Sequence, residues 1–282
     1  MKILSFGEII WDVYGNDAQI GGAPLNFAAH TARRGAEAYM LSAVGKDDLG
    51  ERALRELNRF NVKSDYVTKS DKETGKCLVT LDQNGVPSYN IIKNVAYESI
   101  LLPESLKNER FSAFAFGSLA LSSEQNRKTV AALLEMGVCE KIYCDLNLRA
   151  PLYTEETVSF CINKANILKL SEEELYYVEN LLNIKSDDLG NSCKAICKVL
   201  GNLEVLIVTL GENGSCVYSK ADGKYIRMDS KKVEVVSTVG AGDSFGAAFL
   251  TEYLQGKDLR SCLEAATELS AYVVAHQAAI PD

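Results

Sequence analysis

The sequence is poor in histidine and proline and has no long apolar or basic run, and these shortages exclude several classes of protein. Only two histidines accompany eight cysteines, none of which forms a Cys-x-x-Cys pair, so the common zinc sites are not indicated. Five prolines leave no proline-rich linker. No apolar stretch approaches the ~18 residues of a membrane span. Lysine and arginine are scattered and the net charge is -8, so we expect a protein that binds neither nucleic acid nor a membrane.

The cysteines and the N-terminal residues indicate the compartment. Scattered, unpaired cysteines in a chain of this size are typical of reduced core residues in a reducing compartment. The first residues, Met1–Glu8, turn acidic before the apolar region of a signal peptide could form. We therefore expect a cytoplasmic protein. Its acidity does not exclude an anionic nucleotide, because backbone N–H groups can bind phosphate locally.

Short apolar runs alternate with segments of helical spacing along most of the chain. Such runs, rich in β-branched and aromatic residues, are typical of strands covered on both faces. The predicted strands are Ile3–Phe6, Ala38–Val44, Ala113–Phe116, Lys141–Cys144, Ile167–Leu170 and Val205–Thr209. The predicted helices are Asn26–Arg34, Leu49–Phe60, Lys128–Met136, Glu172–Leu182 and Ser244–Tyr253. This alternation predicts an α/β fold with a doubly wound, mostly parallel sheet.

One region interrupts the alternation and predicts a small separate β-sheet. Asn84-Gly85 lies between two β-prone runs within Thr74–Tyr97, which is a strong hairpin signal. A hairpin inserted between α/β units does not easily join a parallel sheet, so we assign residues 13–20 and 74–97 to a β lid. Residues 1–12, 21–73 and 98–282 then form the α/β domain. A second hairpin, Ser215–Arg227, is predicted at the edge of the main sheet.

The glycine-rich segment Gly240-Ala241-Gly242-Asp243 carries the clearest chemistry. Glycines where a loop enters a helix allow successive N–H groups to point at one anion, and the helix dipole adds attraction. Asp243 beside that anion can accept a proton from an attacking hydroxyl. The spacing matches neither a dinucleotide-binding Gly-x-Gly-x-x-Gly, which argues against a nucleotide-dependent oxidoreductase, nor a P-loop. The structural alternative is a turn in which Asp243 only caps the helix.

These residues resemble the ribokinase-like (PfkB-type) carbohydrate kinases, and the resemblance covers nearly the whole chain in the family's order. The matching segments are Phe6-Gly7-Glu8 with Asp12, Gly21–Asn26, Asp145–Arg149, Thr209–Gly214 and Thr238–Asp243. The resemblance implies a doubly wound α/β domain with a β-sheet lid over a sugar. It also implies ATP as co-substrate and Mg²⁺ as cofactor.

The resemblance further implies a role for each matching residue. Asp243 is the catalytic base, with Gly240, Ala241 and Gly242 forming the anion hole and Arg149 close to the substrate or the transferring phosphate. Asp12, Gly22 and Asn26 are implied to bind the sugar. Thr209, Gly211, Gly214 and Thr238 are implied to contact the nucleotide.

The reaction implied is phosphorylation of a sugar hydroxyl. The Gly-Ala-Pro-x-Asn segment at Gly22 and the Asp-x-Asn-x-Arg segment at Asp145 look most like those of fructokinases, which favours fructose to fructose 6-phosphate. Ketodeoxygluconate and ribose remain alternative substrates, and a catalytically idle sugar or nucleotide sensor is the alternative from another class. An exposed lid edge would allow a homodimer through the lid.

Two positions depart from the family pattern. Ser171 replaces the Asn of the Asn-x-x-Glu motif, whose acid is Glu174, so we expect Glu174 to act on magnesium through water. Ser171 and Glu174 also have the spacing of a helix capping box, and both interpretations can hold. Ser237 replaces the Asp that opens the last signature. This loss of a carboxylate puts potassium activation in doubt.

Overall fold

The computed structural model describes residues 1–15, 17–81 and 87–282, with thirteen strands and eight α-helices. The strands are β1 (Lys2–Phe6), β2 (Ile10–Tyr14), β3 (Asp17–Gly21), β4 (Glu37–Gly45), β5 (Lys63–Ser70), β6 (Gly75–Leu81), β7 (Pro87–Ile91), β8 (Phe111–Gly117), β9 (Cys139–Asp145), β10 (Ile167–Ser171), β11 (Val205–Thr209), β12 (Ser215–Ser219) and β13 (Tyr225–Met228). The α-helices are α1 (Ala23–Arg33), α2 (Asp48–Arg59), α3 (Glu124–Glu135), α4 (Glu155–Lys164), α5 (Glu172–Leu181), α6 (Leu189–Val199), α7 (Ala241–Leu254) and α8 (Leu259–Val274). Short 3₁₀ turns cover Ala96–Ser99, Glu104–Asn108, Ala120–Ser122 and Gly211–Asn213.

The main sheet has nine strands in the order β13-β12-β11-β10-β9-β8-β1-β4-β5. Pairing is parallel from β5 to β11, and β12 and β13 add an antiparallel hairpin at one edge. The six predicted strands and the edge hairpin are therefore confirmed. The doubly wound, mostly parallel sheet predicted from the sequence is confirmed as well.

Alternate residues of the central strands face two different layers of helices. Phe114 packs in the cluster that contains apolar residues of α3, α4, α5 and α6, whereas Ala113 and Ala115 pack with α1, α7 and α8. The small alanines allow α1 and α7 to come close to the sheet. The two layers of helices therefore cover both faces of the sheet. Each large apolar side chain buried in these layers contributes about 1.5–3 kcal/mol to folding.

The chain changes direction in the sheet between β1 and β8. From β1 the chain builds outward through β4 and β5, and from β8 it builds the other way through β9, β10 and β11. The connections on either side of such a switch point diverge to opposite faces and leave a crevice at the carboxyl ends of the strands. The loops that follow Phe6 and Gly117 lie at this crevice.

A second, four-stranded sheet has the order β3-β2-β6-β7. The β2–β6 pair is parallel, and the two outer pairs are antiparallel. The sequence-based division gave Asp12 to the α/β domain. In the structure Asp12 lies on a strand of the second sheet, because β2 begins at Ile10 and pairs along β6. The predicted Asn84-Gly85 turn lies outside the described residues. In the described ranges, no helix is long and apolar enough to cross a membrane.

Candidate active site

The N-terminus of α7 is built for close approach of a ligand to the backbone. Gly240 precedes the helix with φ 79°, and a β-carbon there would lie 2.7 Å from Cβ of Ala279, so only glycine fits. No side chain caps the helix in the described chain. The N–H of Ala241 donates to the carbonyl of Thr238 at 3.3 Å. The next N–H groups, those of Gly242 and Asp243, have no intrahelical acceptor and can bind an anion.

Asp243 is held by Asn26 from the first turn of α1. The Nδ2 of Asn26, which is 4% exposed, donates to Oδ2 of Asp243 at 2.8 Å. Burial raises the pKa of Asp243 to about 6, with Asp145 acting in the same direction, while Asn26, Lys169 and Arg149 oppose the shift. The carboxylate is therefore ionised at neutral pH, and its proton affinity suits a general base.

Lys169 is a candidate site residue that the sequence analysis missed. It is 5% exposed on β10, and its Nζ donates to both carboxylate oxygens of Asp145, at 2.9 and 2.8 Å. A β-carbon on Gly242 would lie 3.2 Å from this Nζ, so the ammonium is next to the open end of α7. Burial alone would lower the pKa of Lys169, but Asp145, together with Glu174 and Asp243, more than offsets it and the pKa is raised. The available signal was a lysine inside an otherwise apolar strand.

Asp12, Arg149 and Asp243 form one electrostatic group. Burial raises the pKa of Asp12, while a hydrogen bond from the thiol of Cys77 and the charge of Arg149 lower it. Arg149, which is exposed, also lowers the pKa of Asp243 and of Glu8, so its positive charge acts on all three carboxyl groups. Gly22, at φ 113°, packs against Glu8: a β-carbon there would lie 2.5 Å from the Glu8 carbonyl oxygen.

Two cavities flank the start of α7. The larger has a volume of about 690 Å³ and is lined by Thr209, Gly211, Gly214 and Thr238, together with Ala241 and Gly242. The smaller, about 30 Å³, is lined by Glu8, Asp145 and Asp243 among others. The four residues predicted to contact a nucleotide thus share one cavity, of a size usual for ligand pockets. Asp12, Gly22 and Arg149 line neither cavity.

Glu174 completes the predicted capping box and connects two loops. Its Oε2 accepts the N–H of Ser171 at 2.8 Å, and the hydroxyl of Ser171 accepts the N–H of Glu174. Its Oε1 accepts the N–H of Leu148 at 2.6 Å. Burial and Asp145 raise the pKa of Glu174. Among the described residues, no group of three or more His, Cys, Asp or Glu side chains could hold a metal ion.

Comparison with known proteins identifies the family and the fold. The family model described as pfkB family carbohydrate kinase matches residues 2–282. Fructokinase of Salmonella typhimurium is 30% identical over 244 residues, covering 82% of this chain and 75% of that protein. ATP-dependent 6-phosphofructokinase of Thermoanaerobacterium thermosaccharolyticum is 28% identical over 302 residues, covering 99% and 90%. The crystal structure of an uncharacterized sugar kinase from Pyrococcus horikoshii in complex with ATP superposes with a TM-score of 0.83 at 28% identity, covering 99% of this chain and 94% of that one.

The doubly wound, mostly parallel sheet with a small second sheet is the ribokinase-like α/β fold. The chain belongs to the pfkB family of carbohydrate kinases. The family resemblance drawn from its motifs is thereby confirmed.

Proposed function

We propose that this chain transfers the γ-phosphoryl group of ATP to a hydroxyl of fructose and forms fructose 6-phosphate. The observation that carries the proposal is the Asn26–Asp243 hydrogen bond at the start of α7, with a cavity on either side. A base between a nucleotide cavity and an acceptor site is the arrangement that direct, in-line transfer requires.

In this mechanism Asp243 removes the proton of the attacking hydroxyl. The oxygen then bonds to the γ-phosphorus as the bond to the β-γ bridging oxygen breaks, and ADP leaves with those electrons. The N–H groups of Gly242 and Asp243 and the ammonium of Lys169 stabilise the negative charge on the transferring group. Arg149, from the mouth of the site, adds a second positive charge. Asp12 and Asn26 bind sugar hydroxyls, and Gly22 allows the sugar to approach the backbone.

The cavity of about 690 Å³ is the proposed nucleotide site. Thr209, Gly211, Gly214 and Thr238 would contact ATP there, and the open helix end directs its dipole at the phosphates. The Pyrococcus horikoshii relative, which is in complex with ATP, supports this assignment.

Magnesium is the implied cofactor, and the donors present fit a water-mediated site. Both oxygens of Glu174 already accept backbone N–H groups, so a dense carboxylate cage does not form. Magnesium usually retains several waters and is bound through one or two carboxylates plus substrate phosphates. Glu174 would hold it through water. When bound, Mg²⁺ would neutralise charge on the phosphates of ATP.

The second sheet is the proposed lid. It carries Asp12 on β2, so closing it over the crevice would bring a sugar-binding carboxylate to the acceptor side of Asp243. Closure would also exclude water, which competes with the sugar for the phosphoryl group. The sequence predicts residues 13–20 and 74–97 for this lid, and because β2 begins at Ile10 and pairs with β6, we extend the lid to include Asp12.

The charges around the acceptor site favour a neutral sugar. Three carboxyl groups, those of Glu8, Asp12 and Asp243, are within the electrostatic influence of one guanidinium, that of Arg149. The other cation, Lys169, is already paired with Asp145. An anionic acceptor such as fructose 6-phosphate or ketodeoxygluconate would meet net negative charge there. One relative is named ATP-dependent 6-phosphofructokinase. Fructose 6-phosphate is therefore the alternative acceptor that an experiment has to exclude.

The test is ADP formation from Mg-ATP with fructose, ribose, ketodeoxygluconate, glucose, adenosine and fructose 6-phosphate, in wild type and Asp243→Asn. We expect turnover on fructose and a loss of about 10³-fold in kcat in the variant with ATP binding retained. Turnover with a different acceptor of this panel would change the proposed substrate and leave the proposed mechanism unchanged. If Asp243→Asn retains turnover, Asp243 is not the catalytic base. If the protein binds ATP but turns over none of the acceptors, the sensor function is favoured.

A further inference from the structure

His30 is a buried polar side chain on α1 that the mechanism above does not use. It is 1% exposed, and its Nε2 lies 2.9 Å from the carbonyl oxygen of Ala279, in the segment that follows α8. Burial lowers the pKa of His30 to about 4, so the ring is neutral at physiological pH. Because a carbonyl oxygen can only accept a hydrogen bond, the single ring proton is on Nε2 and His30 is the donor.

The carbonyl group that His30 holds lies directly against the start of α7. A β-carbon on Gly240 would be 2.7 Å from Cβ of Ala279 and 2.9 Å from both its Cα and its carbonyl oxygen. Gly240 is the N-cap of α7, and the open N–H groups of the helix follow it. A displacement of Ala279 would therefore move or leave unsupported the loop that presents these N–H groups to a phosphate.

The same face of α1 also holds the proposed base. Asn26 and His30 are four residues apart, so their side chains lie on one side of the helix. Asn26 donates to Oδ2 of Asp243 at 2.8 Å. His30 reaches Gly240 through Ala279. One helix turn therefore fixes both the base and the residue that precedes the anion-binding N–H groups.

Two further contacts hold the segment of Ala279 next to α1. The guanidinium of Arg33 donates to the carbonyl of Pro281. Ile280 is 6% exposed and packs in the apolar cluster that includes residues of α1. Since these contacts fix the neighbouring residues, loss of the His30 hydrogen bond should shift Ala279 locally without releasing the whole segment.

We propose that His30 is a positioning residue for phosphoryl transfer: through its hydrogen bond to Ala279 it holds Gly240, so that the open N–H groups at the start of α7 point at the transferring phosphoryl group. Asn26 positions the base from the same face of α1. The inference rests on the function proposed above.

The kinetic test compares wild type with His30→Leu and His30→Gln. Leucine fills similar space but donates no hydrogen bond, whereas glutamine keeps an N–H donor on a side chain of similar reach. We expect kcat of His30→Leu to fall about 10-fold, the order of effect that a small misplacement of the reacting groups produces. KM for the sugar and the Kd of ADP should not change, because neither ligand carries the transferring group. His30→Gln should stay within about 3-fold of wild type. Equal kcat values in the two variants, or a change confined to KM, overturn the proposal.

Thr31→Val is the matched control for a loss of stability. Thr31 is next to His30, is fully buried, and donates its hydroxyl to the carbonyl of Ala28 at 2.8 Å within α1. Valine removes this hydrogen bond without altering the contact with Ala279. We expect a lower free energy of urea unfolding in Thr31→Val, with kcat within about 2-fold of wild type. A fall in kcat as large as that of His30→Leu would mean that any weakening of α1 slows the reaction, and would refute a specific role of His30.

A double-variant cycle tests whether His30 acts through Ala279. Ala279→Gly removes the β-carbon that lies against Gly240 and should itself lower kcat. If the two residues act in series, His30→Leu/Ala279→Gly is no slower than the slower single variant. Losses that multiply would show that His30 acts by another route, which contradicts the proposal.

A measurement that needs no turnover distinguishes failure of this inference from failure of the proposed function. In ¹H–¹⁵N NMR spectra, His30→Leu should shift the backbone amide signals of residues 240–242, whereas His30→Gln and Thr31→Val should leave them close to their wild-type positions. Unshifted signals in His30→Leu overturn the positioning role whatever the activity. Shifted signals in a protein that turns over none of the acceptors would instead refute the kinase function and confirm that His30 places the loop.

Discussion

The phenol oxygen of Tyr143 occupies the space that a β-carbon on Gly246 would need, so α7 can lie against β9 only because residue 246 is glycine. Gly246 is one turn after Gly242, which in the same way faces the ammonium of Lys169. Two glycines on one face of the helix therefore seat the start of α7 directly on the strands that carry Asp145 and Lys169.

Gly246→Ala should destabilise the protein. The new β-carbon would overlap the Tyr143 hydroxyl and lie 3.1 Å from Cζ, and Tyr143 is fully buried. Overpacking of this kind costs about 1–3 kcal/mol, measurable as a lower free energy of urea unfolding. Gly201→Ala is the control, since nothing lies within 4 Å of a β-carbon there. Tyr143→Phe should partly rescue the variant, because the hydroxyl has no partner within the described chain. An unchanged stability in Gly246→Ala would show that α7 moves away freely.

The main sheet could be predicted because its strands are nearly continuous apolar runs. Strand β5, Lys63–Ser70, was missed, since it is an edge strand whose only apolar residues are the adjacent Tyr66 and Val67. Helices α4, α6 and α8 were also missed; their buried residues include cysteines, threonine and alanine, which give a weak helical pattern. Edge position and small core residues both weaken the hydrophobic signal on which the prediction depends.

The site was predictable where a motif marks backbone geometry and not where tertiary contact creates the function. The segment Gly240–Asp243 can be recognised in the sequence because the loop needs glycine where it enters α7. Lys169 gains its role only from strand order, which puts β10 beside β9 and opposite Asp145. Glu8 comes against Gly22 only when α1 folds back over β1. Neither contact is encoded in local spacing.

Lys169→Met should reduce stability and move the pH profile. Removing one partner of a buried ion pair costs about 3 kcal/mol, because Asp145 is left unpaired. Lys169 lowers the pKa of Asp243 and Asp145 raises it, so the loss of Lys169 should raise the pKa of Asp243 above about 6. The base is then protonated at higher pH, and kcat/KM should begin to fall at higher pH than in wild type.

The double variant Lys169→Met/Asp145→Asn removes both opposing charges and should bring the acid limb of kcat/KM back toward wild type. Lys141→Met, which loses only a surface pair with Glu204, should change stability by less than about 0.5 kcal/mol. If the acid limb stays in place in Lys169→Met, the ammonium does not act on Asp243.

Cys77→Val should weaken sugar binding without slowing the chemistry. The Cys77 thiol donates to Asp12, and burial and Asp12 raise its pKa to about 11, so it stays protonated as a donor. Loss of this hydrogen bond frees Asp12 to rotate and should raise KM for the sugar about 3- to 10-fold, with kcat unchanged. Cys77→Ser retains a donor and should stay within about 2-fold of wild type. Equal effects of valine and serine would mean that the thiol only fills space. Cys139→Ser, away from the site, is the matched control.

Potassium should have little effect on this enzyme. Ser237 offers a hydroxyl where a carboxylate would attract a cation, and its oxygen already accepts the N–H of Val239 at 3.3 Å. The nearby carbonyl of Val274 accepts two N–H groups, those of Val236 and Ser237, which reduces its capacity to bind an ion. We expect kcat in KCl and in NaCl to agree within about 2-fold, the range that a missing unit charge near an exposed loop allows, with choline chloride as the control for ionic strength. Ser237→Asp restores the charge and should introduce a potassium response. Strong activation of the wild type by potassium would show that backbone oxygens alone bind the cation, and that the carboxylate is dispensable.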